Sequence, residues 1–174
     1  MRVFITGASS GIGAALSRAF AARGDTLGLV ARNREKLIAF TQTLPCSEKH
    51  IPYAVDVTDR DALLHAAADF ESRGETDLVI ASAGISIGVK TEFLEDLDVL
   101  ERIYKTNVFA MASTFHGFIA PMRARGRGQF VGIGSVAGIR GLPGSEAYCS
   151  SKAAVISYLE SLRNDVRPYG VTVA

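Results

Sequence analysis

Taken as hydrophobic and polar positions alone, the chain is a series of short apolar runs, each followed by a longer stretch with helical spacing. The run at 2–6, RVFIT, ends at a glycine-rich turn. Beyond it Ile12, Ala15, Leu16, Ala19 and Phe20 recur at the three-and-four spacing of one helix face, closed by Gly24. Further strands are read at 26–31 (TLGLVA), 51–55 (IPYAV), 77–84 (DLVIASAG) and 128–135 (GQFVGIGS). Helical stretches lie between them at 33–44, capped by Asn33, and at 59–74, whose early acids suit the positive end of a helix dipole. A long helix follows the loop at 85–95, broken near residue 105, and another spans 145–166 with Ser145 as its cap. GVTVA (170–174) begins a sixth strand.

Strands alternate with helices, and the strands are apolar throughout. That pattern belongs to a parallel sheet covered on both faces. Right-handed crossovers make it a doubly wound, three-layer α/β/α sheet of the Rossmann kind. Such sheets bind ligands at the carboxyl ends of their strands, where the strand order switches. No linker, repeat or low-complexity segment divides residues 1–174, so a single domain is expected, with 48% hydrophobic residues to fill its core.

Charge and composition narrow the function. Lys and Arg number 19 against 18 Asp and Glu, a net charge of +1, which excludes the broad basic surface of a nucleic-acid binder. Arg123, Arg125 and Arg127, interleaved with Gly126 and Gly128, read as a solvated loop. Cys46 and Cys149 are too far apart to form a framework, and Cys149 reads as a small buried residue. His50, His65 and His116 lack ligand spacing, so no metal site is expected. No apolar run approaches a membrane span of ~18 residues, and the glycines cut short the N-terminal run before it resembles a secretory leader. The expectation is a soluble, reduced, cytoplasmic protein.

TGASSGIG (6–13) joins the first strand to the first helix. Gly7 allows a tight turn, Gly11 lets backbone approach a pyrophosphate, and Gly13 permits close helix–strand packing. The helix N-terminus aims amide donors at the anion, and the Ser9 and Ser10 hydroxyls can add contacts. An NAD site would carry an acid at the end of the second strand. Here Ala31 and Arg32 stand there, and an arginine pairs instead with a 2′-phosphate. Tyr148 and Lys152, four residues apart, fall on one helix face, so an ammonium can sit beside a phenol.

Together these residues resemble the short-chain dehydrogenase/reductase family, in its small single-domain branch, along essentially all 174 residues. The resemblance extends the cofactor loop to Ile12 and implies adenine contacts from Asp56 and Val57 in DVT (56–58), with Asp56 facing the adenine amine. It implies further contacts from Ala83 and Gly84, where Ala81 and Ser82 replace the branch's usual pair of asparagines. Asn107, Ser135, Tyr148 and Lys152 match the family's catalytic tetrad. The implied roles are proton transfer for Tyr148 and a hydrogen bond to the substrate oxygen for Ser135. Asn107 would anchor a water relaying protons through Lys152, which also holds the nicotinamide ribose.

The implied function is an NADP(H)-dependent oxidoreductase interconverting a carbonyl and an alcohol, with NAD(H) as the alternative cofactor. The competing reading is a nucleotide-binding module or redox sensor without turnover that forms a dimer scaffold. The expected partners are a small-molecule substrate and a second copy of the chain, with no nucleic acid and no membrane. The dimer would form through Val108, Phe109, Met111, Ala112, Phe115 and Ile119 on one helix and Ala153, Val155, Ile156, Tyr158 and Leu159 on the other, more apolar surface than one sheet face covers. Family members continue past strand six into a substrate-covering segment and a further strand. The expectation is therefore a C-terminally incomplete sheet, without that lid and with very low turnover in the 174-residue form.

Overall fold

In the computed structural model, which describes residues 1–174, the apolar runs become six strands: β1 (Arg2–Thr6), β2 (Thr26–Ala31), β3 (Ile51–Ala54), β4 (Leu78–Ala81), β5 (Gly128–Gly132) and β6 (Val171–Val173). All pair in parallel, in the order β3-β2-β1-β4-β5-β6. The chain winds outward from β1 to β3, returns to β4 beside β1, and winds outward again. The switch point therefore lies between β1 and β4, and their carboxyl ends open a crevice there.

Helices α1 (Gly11–Ala22) and α2 (Arg34–Gln42) cover one face, over Val3, Ile5, Leu27, Leu29 and Ile80. Helices α3 (Arg60–Ser72), α5 (Ala110–Arg125) and α6 (Glu146–Val166) cover the other, over Phe4, Val30, Val79 and Phe130. Phe4 stacks there with Phe70 and Phe118 at centroid distances of 5.6 and 5.0 Å. Gly28 makes room for that cluster, because a Cβ on it would stand 2.8 Å from the rings of both Phe4 and Phe70.

Four local readings are corrected. Along α1 the buried stripe is Gly13, Ala14, Ser17 and Ala21, while Ala15, Ala19 and Ile12 are exposed. Small residues face inward because the helix lies close on the sheet, and Ser17 satisfies its hydroxyl by donating to Gly13 O at 2.8 Å. Ser145 precedes α6 but makes no capping bond with its side chain. The irregularity expected near residue 105 is present, but as a widening of the helix and not a break. A short helix α4 (Asp96–Tyr104) widens into a π-turn, Lys105–Phe109, and passes straight into α5.

The fourth correction concerns the basic run. Arg123 and Arg125 belong to the last turn of α5, not to a loop. Arg125 is nearly buried, paired with Glu71 of α3 and donating to the Thr76 carbonyl. Arg127 pairs with Glu75 and Asp77, and Arg123 lies 3.8 Å over the Tyr169 ring. These groups clamp the end of the sheet opposite the crevice. On the expected dimer helices, Met111, Phe115, Val155 and Leu159 are buried in the chain's own core, so less apolar surface is left for a partner than the sequence suggested.

Candidate active site

The glycine loop folds back onto the ends of both neighbouring strands. Gly7 and Gly11 have φ of +68° and +51°, a region that costs a side chain. A Cβ on Gly7 would lie 2.9 Å from Ala83 Cα, and one on Gly13 would lie 2.3 Å from Gly7 O. The loop is also tied by hydrogen bonds: Ala8 N donates to Val30 O at 3.1 Å, and Ala83 N donates to Thr6 Oγ1 at 3.2 Å. Strand ends β1, β2 and β4 are thereby held around one cleft.

That cleft has a volume of about 250 Å³ and is lined by Gly7, Ser9, Ser10, Arg32, Asp56, Val57, Ala83 and Gly84, all expected from the sequence. Gly11, Ile12 and Gly13 form the first turn of α1 behind it. Ser10 stands at the N-cap of α1 with no capping bond, which leaves its hydroxyl free to meet an anion. Arg32 is exposed, 3.9 Å from Asp56. Asp56 Oδ1 accepts from Thr58 N and Thr58 Oγ1 at 2.9 and 2.8 Å, which fixes the carboxylate at the rim.

The sequence reading missed Asn33, Lys36, Ile85 and Thr106, which also line the cleft. Lys36 could have been found, since it stands four residues beyond Arg32. The sequence marks Asn33 only as a cap, and it does accept from Lys36 N at 2.8 Å. The cleft offers a nucleotide glycines that admit close approach, a helix N-terminus, a free hydroxyl and two cationic side chains.

Of the four residues expected as a tetrad, Asn107 and Lys152 stand next to Gly84 of this cleft, and Tyr148 lies near Lys152. Ser135 follows β5 and opens a short 3-10 turn, Val136–Gly138, with its Oγ accepting from Ala137 N at 3.2 Å. That turn packs on α6 at Lys152, where a Cβ on Gly138 would be 2.7 Å from the Lys152 carbonyl. Lys152 is buried, and Nζ donates to Ile133 O at 2.6 Å and lies 5.8 Å from the centre of the Tyr148 ring. Burial holds its ammonium below the ordinary lysine pKa.

Asn107 lies in the π-turn and is 2% exposed. Its Oδ1 accepts from Ile85 N at 2.8 Å, and Nδ2 donates to Ile85 O at 2.9 Å and to Ser151 Oγ at 3.1 Å. Both amide hydrogens are therefore engaged. The side chain has no donor left for a relayed water and acts as a clamp on the segment after β4. Gly84 joins the two halves of the site: it lines the nucleotide cleft, and a Cβ on it would stand 3.3 Å from Asn107 Oδ1 and 3.9 Å from Lys152 Nζ.

Comparison with known proteins bears on the family and the fold. The short chain dehydrogenase family model matches residues 1–174. An uncharacterized oxidoreductase of Myxococcus xanthus is 38% identical over 172 residues, covering 97% of this chain and 67% of its own. A short-chain dehydrogenase from Streptomyces avermitilis superposes with a TM-score of 0.90 at 33% identity, covering 99% of this chain and 62% of the other. ElxO, solved with NADP bound, superposes at 0.88 with 25% identity, covering 98% and 69%. The chain thus spans about two thirds of the length of these proteins. No helix is long and apolar enough to cross a membrane. With the family model matched from end to end and the glycine loop, cleft and sheet order all in place, the chain belongs to the short-chain dehydrogenase family.

Proposed function

We propose that the protein is an NADP(H)-dependent oxidoreductase interconverting a carbonyl and an alcohol, with Tyr148 moving the proton. The observation that carries this reading is Gly84, which borders the nucleotide cleft on one side and Asn107 and Lys152 on the other. A nucleotide in the cleft would thus extend towards Tyr148 and Ser135.

When bound, the nicotinamide supplies or takes up the hydride. The chain's own residues handle the oxygen and the proton. The Ser135 oxygen already accepts from Ala137 N, so its hydroxyl hydrogen is free to donate to the substrate oxygen. Tyr148 gives its phenolic proton to that oxygen during reduction and takes it back during oxidation. Lys152 has three N–H donors and Ile133 O takes one, leaving two for the ribose hydroxyls and the phenolate side. An ammonium ~5 Å from a phenolate, at an effective dielectric of ~20, favours the ionised form by about 3 kcal/mol. Asn107 and Ile85 keep the segment after β4 in register with α6.

Arg32 and Lys36 support NADP(H) over NAD(H), since both line the cleft at the β2–α2 corner and no unpaired acid is placed there to receive a 2′-hydroxyl. ElxO, with NADP bound at 25% identity, is consistent with that preference. Assembly as a homodimer is part of the same proposal, through α5, α6 and the preceding π-turn, where Phe109 remains 56% exposed.

The test is NADPH oxidation with a panel of aldehydes and ketones, run on the parent and on Tyr148→Phe beside a cofactor-binding titration. The variant should bind NADPH as before and lose roughly 10²–10⁴ in rate. Near-normal turnover in Tyr148→Phe would sink the mechanism. Cofactor binding without turnover on any carbonyl would favour a non-catalytic nucleotide-binding module.

A further inference from the structure

Ser151 has no part in the chemistry described above, yet it is fully buried between the two catalytic residues of α6. Its hydroxyl donates to the Tyr148 carbonyl at 2.7 Å and accepts from Asn107 Nδ2 at 3.1 Å. Asn107 in turn closes both hydrogen bonds to the main chain of Ile85. The amide orientation follows from those bonds, because the reversed amide would turn its NH2 towards the Ile85 N–H and its oxygen towards the Ile85 carbonyl. One unbroken chain of bonds therefore runs from the segment bordering the nucleotide cleft, through the π-turn, to the helical turn that presents Tyr148 and Lys152.

We propose that Ser151 is a positioning residue for the reaction: it couples the Ile85 segment and the π-turn to the Tyr148–Lys152 pair. The proposal rests on the oxidoreductase reading for its effect on rate, but the coupling itself does not. Three features support the assignment. The hydroxyl's one hydrogen is engaged by Tyr148 O, so its oxygen is oriented to receive Asn107. Asn107 is 2% exposed, and without Ser151 one of its amide hydrogens would face the interior unpaired. The π-turn, a geometry that concentrates at functional sites, occurs where α4 and α5 must deliver Asn107 to this contact.

The experiment is Ser151→Ala, with Ser151→Cys as a conservative companion, in the full-length protein. Alanine favours the helix and leaves Asn107 both bonds to Ile85, so the fold should persist. The first readout is amide hydrogen exchange, which needs no activity. In Ser151→Ala the Ile85 amide should exchange at least about tenfold faster, while the Val79 and Phe4 amides in the sheet keep their parent rates. Uniformly faster exchange at all three, or no change at Ile85, would overturn the coupling whether or not the protein is a reductase.

The second readout is kinetic. Ser151→Ala should lower kcat about tenfold or more, displace the pH profile of kcat and leave NADPH affinity within about threefold, with Ser151→Cys intermediate. In a Tyr148→Phe background the same substitution should have little further effect, because it acts through the Tyr148–Lys152 pair. A kcat within about twofold of the parent, or a loss that multiplies fully with that of Tyr148→Phe and leaves the pH profile unmoved, would overturn the positioning role. If the parent turns over no carbonyl at all, the oxidoreductase reading fails, and the exchange result at Ile85 still decides the coupling.

Discussion

Replacing Asn107 with alanine should unfasten the site measurably in stability as well as in activity. The side chain makes three hydrogen bonds, two to Ile85 and one to Ser151, at 2.8, 2.9 and 3.1 Å. At a net ~0.5–1.5 kcal/mol each they sum to about 1.5–4.5 kcal/mol. Ile85 is only half-buried and water can reach its freed main-chain groups, whereas Ser151 is sealed. The expected loss is therefore about 2–3 kcal/mol, or a Tm lower by roughly 4–12 °C for a chain of this size. Urea and thermal denaturation followed by circular dichroism would measure it.

Asn107→Asp sharpens the same test. It keeps an acceptor for the Ile85 N–H but sets an oxygen against the Ile85 carbonyl and Ser151 Oγ. At pH 7 it should be less stable than Asn107→Ala. Burial and the facing carbonyl would raise the new carboxyl's folded pKa above its unfolded value. Stability gained by its protonated form is then fully present below the unfolded value, ~3.9, and is lost as pH rises through the folded one. A loss under about 0.5 kcal/mol in Asn107→Ala, or an aspartate variant as stable as the parent at pH 7, would refute the clamp.

Two further outcomes are expected. NADPH should bind more tightly than NADH by roughly 10- to 150-fold, the worth of a charge-assisted phosphate contact, and Arg32→Asp should narrow or reverse that preference in a fluorescence titration; equal affinities in the parent would make Arg32 a bystander. Lys152→Met should abolish turnover yet melt at or above the parent's Tm at pH 7, because burial alone holds the Lys152 pKa below its ordinary value. The unfolded state binds the extra proton between the lowered folded pKa and ~10.4, so the parent gains stability as pH rises through that window and the gap to the variant should close; a variant clearly less stable than the parent at pH 7 would contradict this.

What the sequence made legible was local. The glycine spacing, the cap at Asn33, the four-residue step from Tyr148 to Lys152 and the apolar strands each sit within one turn or one element. Right-handed crossovers then make a doubly wound sheet of them, while the spatial order of the strands comes from the structure. What escaped was non-local or depended on how closely elements approach. Arg125 meets Glu71 across 54 residues and Asn107 meets Ser151 across 44, so neither pairing had a spacing to announce it. The α1 face was only partly right: Leu16 and Phe20 do pack on the core, but the helix lies so close to the sheet that glycine, alanine and serine fill its fully buried stripe. Lys36 was missed for a different reason. Its four-residue separation from Arg32 was visible and unused, and the structure sets both cations on one cleft.

Lys152 also explains why so much of the hydrogen bonding near the cleft serves to hold rather than to react. A buried ammonium whose one partner is the Ile133 carbonyl is a local liability to the fold. The neighbouring groups could relax towards it or let water in, and either change would lessen the penalty and with it the ammonium's pull on a phenolate. Gly138 packed on its backbone, Asn107 beside Gly84, and Ser151 between Asn107 and Tyr148 are the contacts expected to oppose that relaxation. On the proposed mechanism, the site thus keeps an under-compensated positive charge where Tyr148 would carry a phenolate after releasing its proton. Fixed charge in a low-dielectric setting stabilises such an anion more than mobile water does. Loosening any of the three contacts should then lower the rate more than it lowers stability, whereas neutralising Lys152 should remove the rate and relieve the fold.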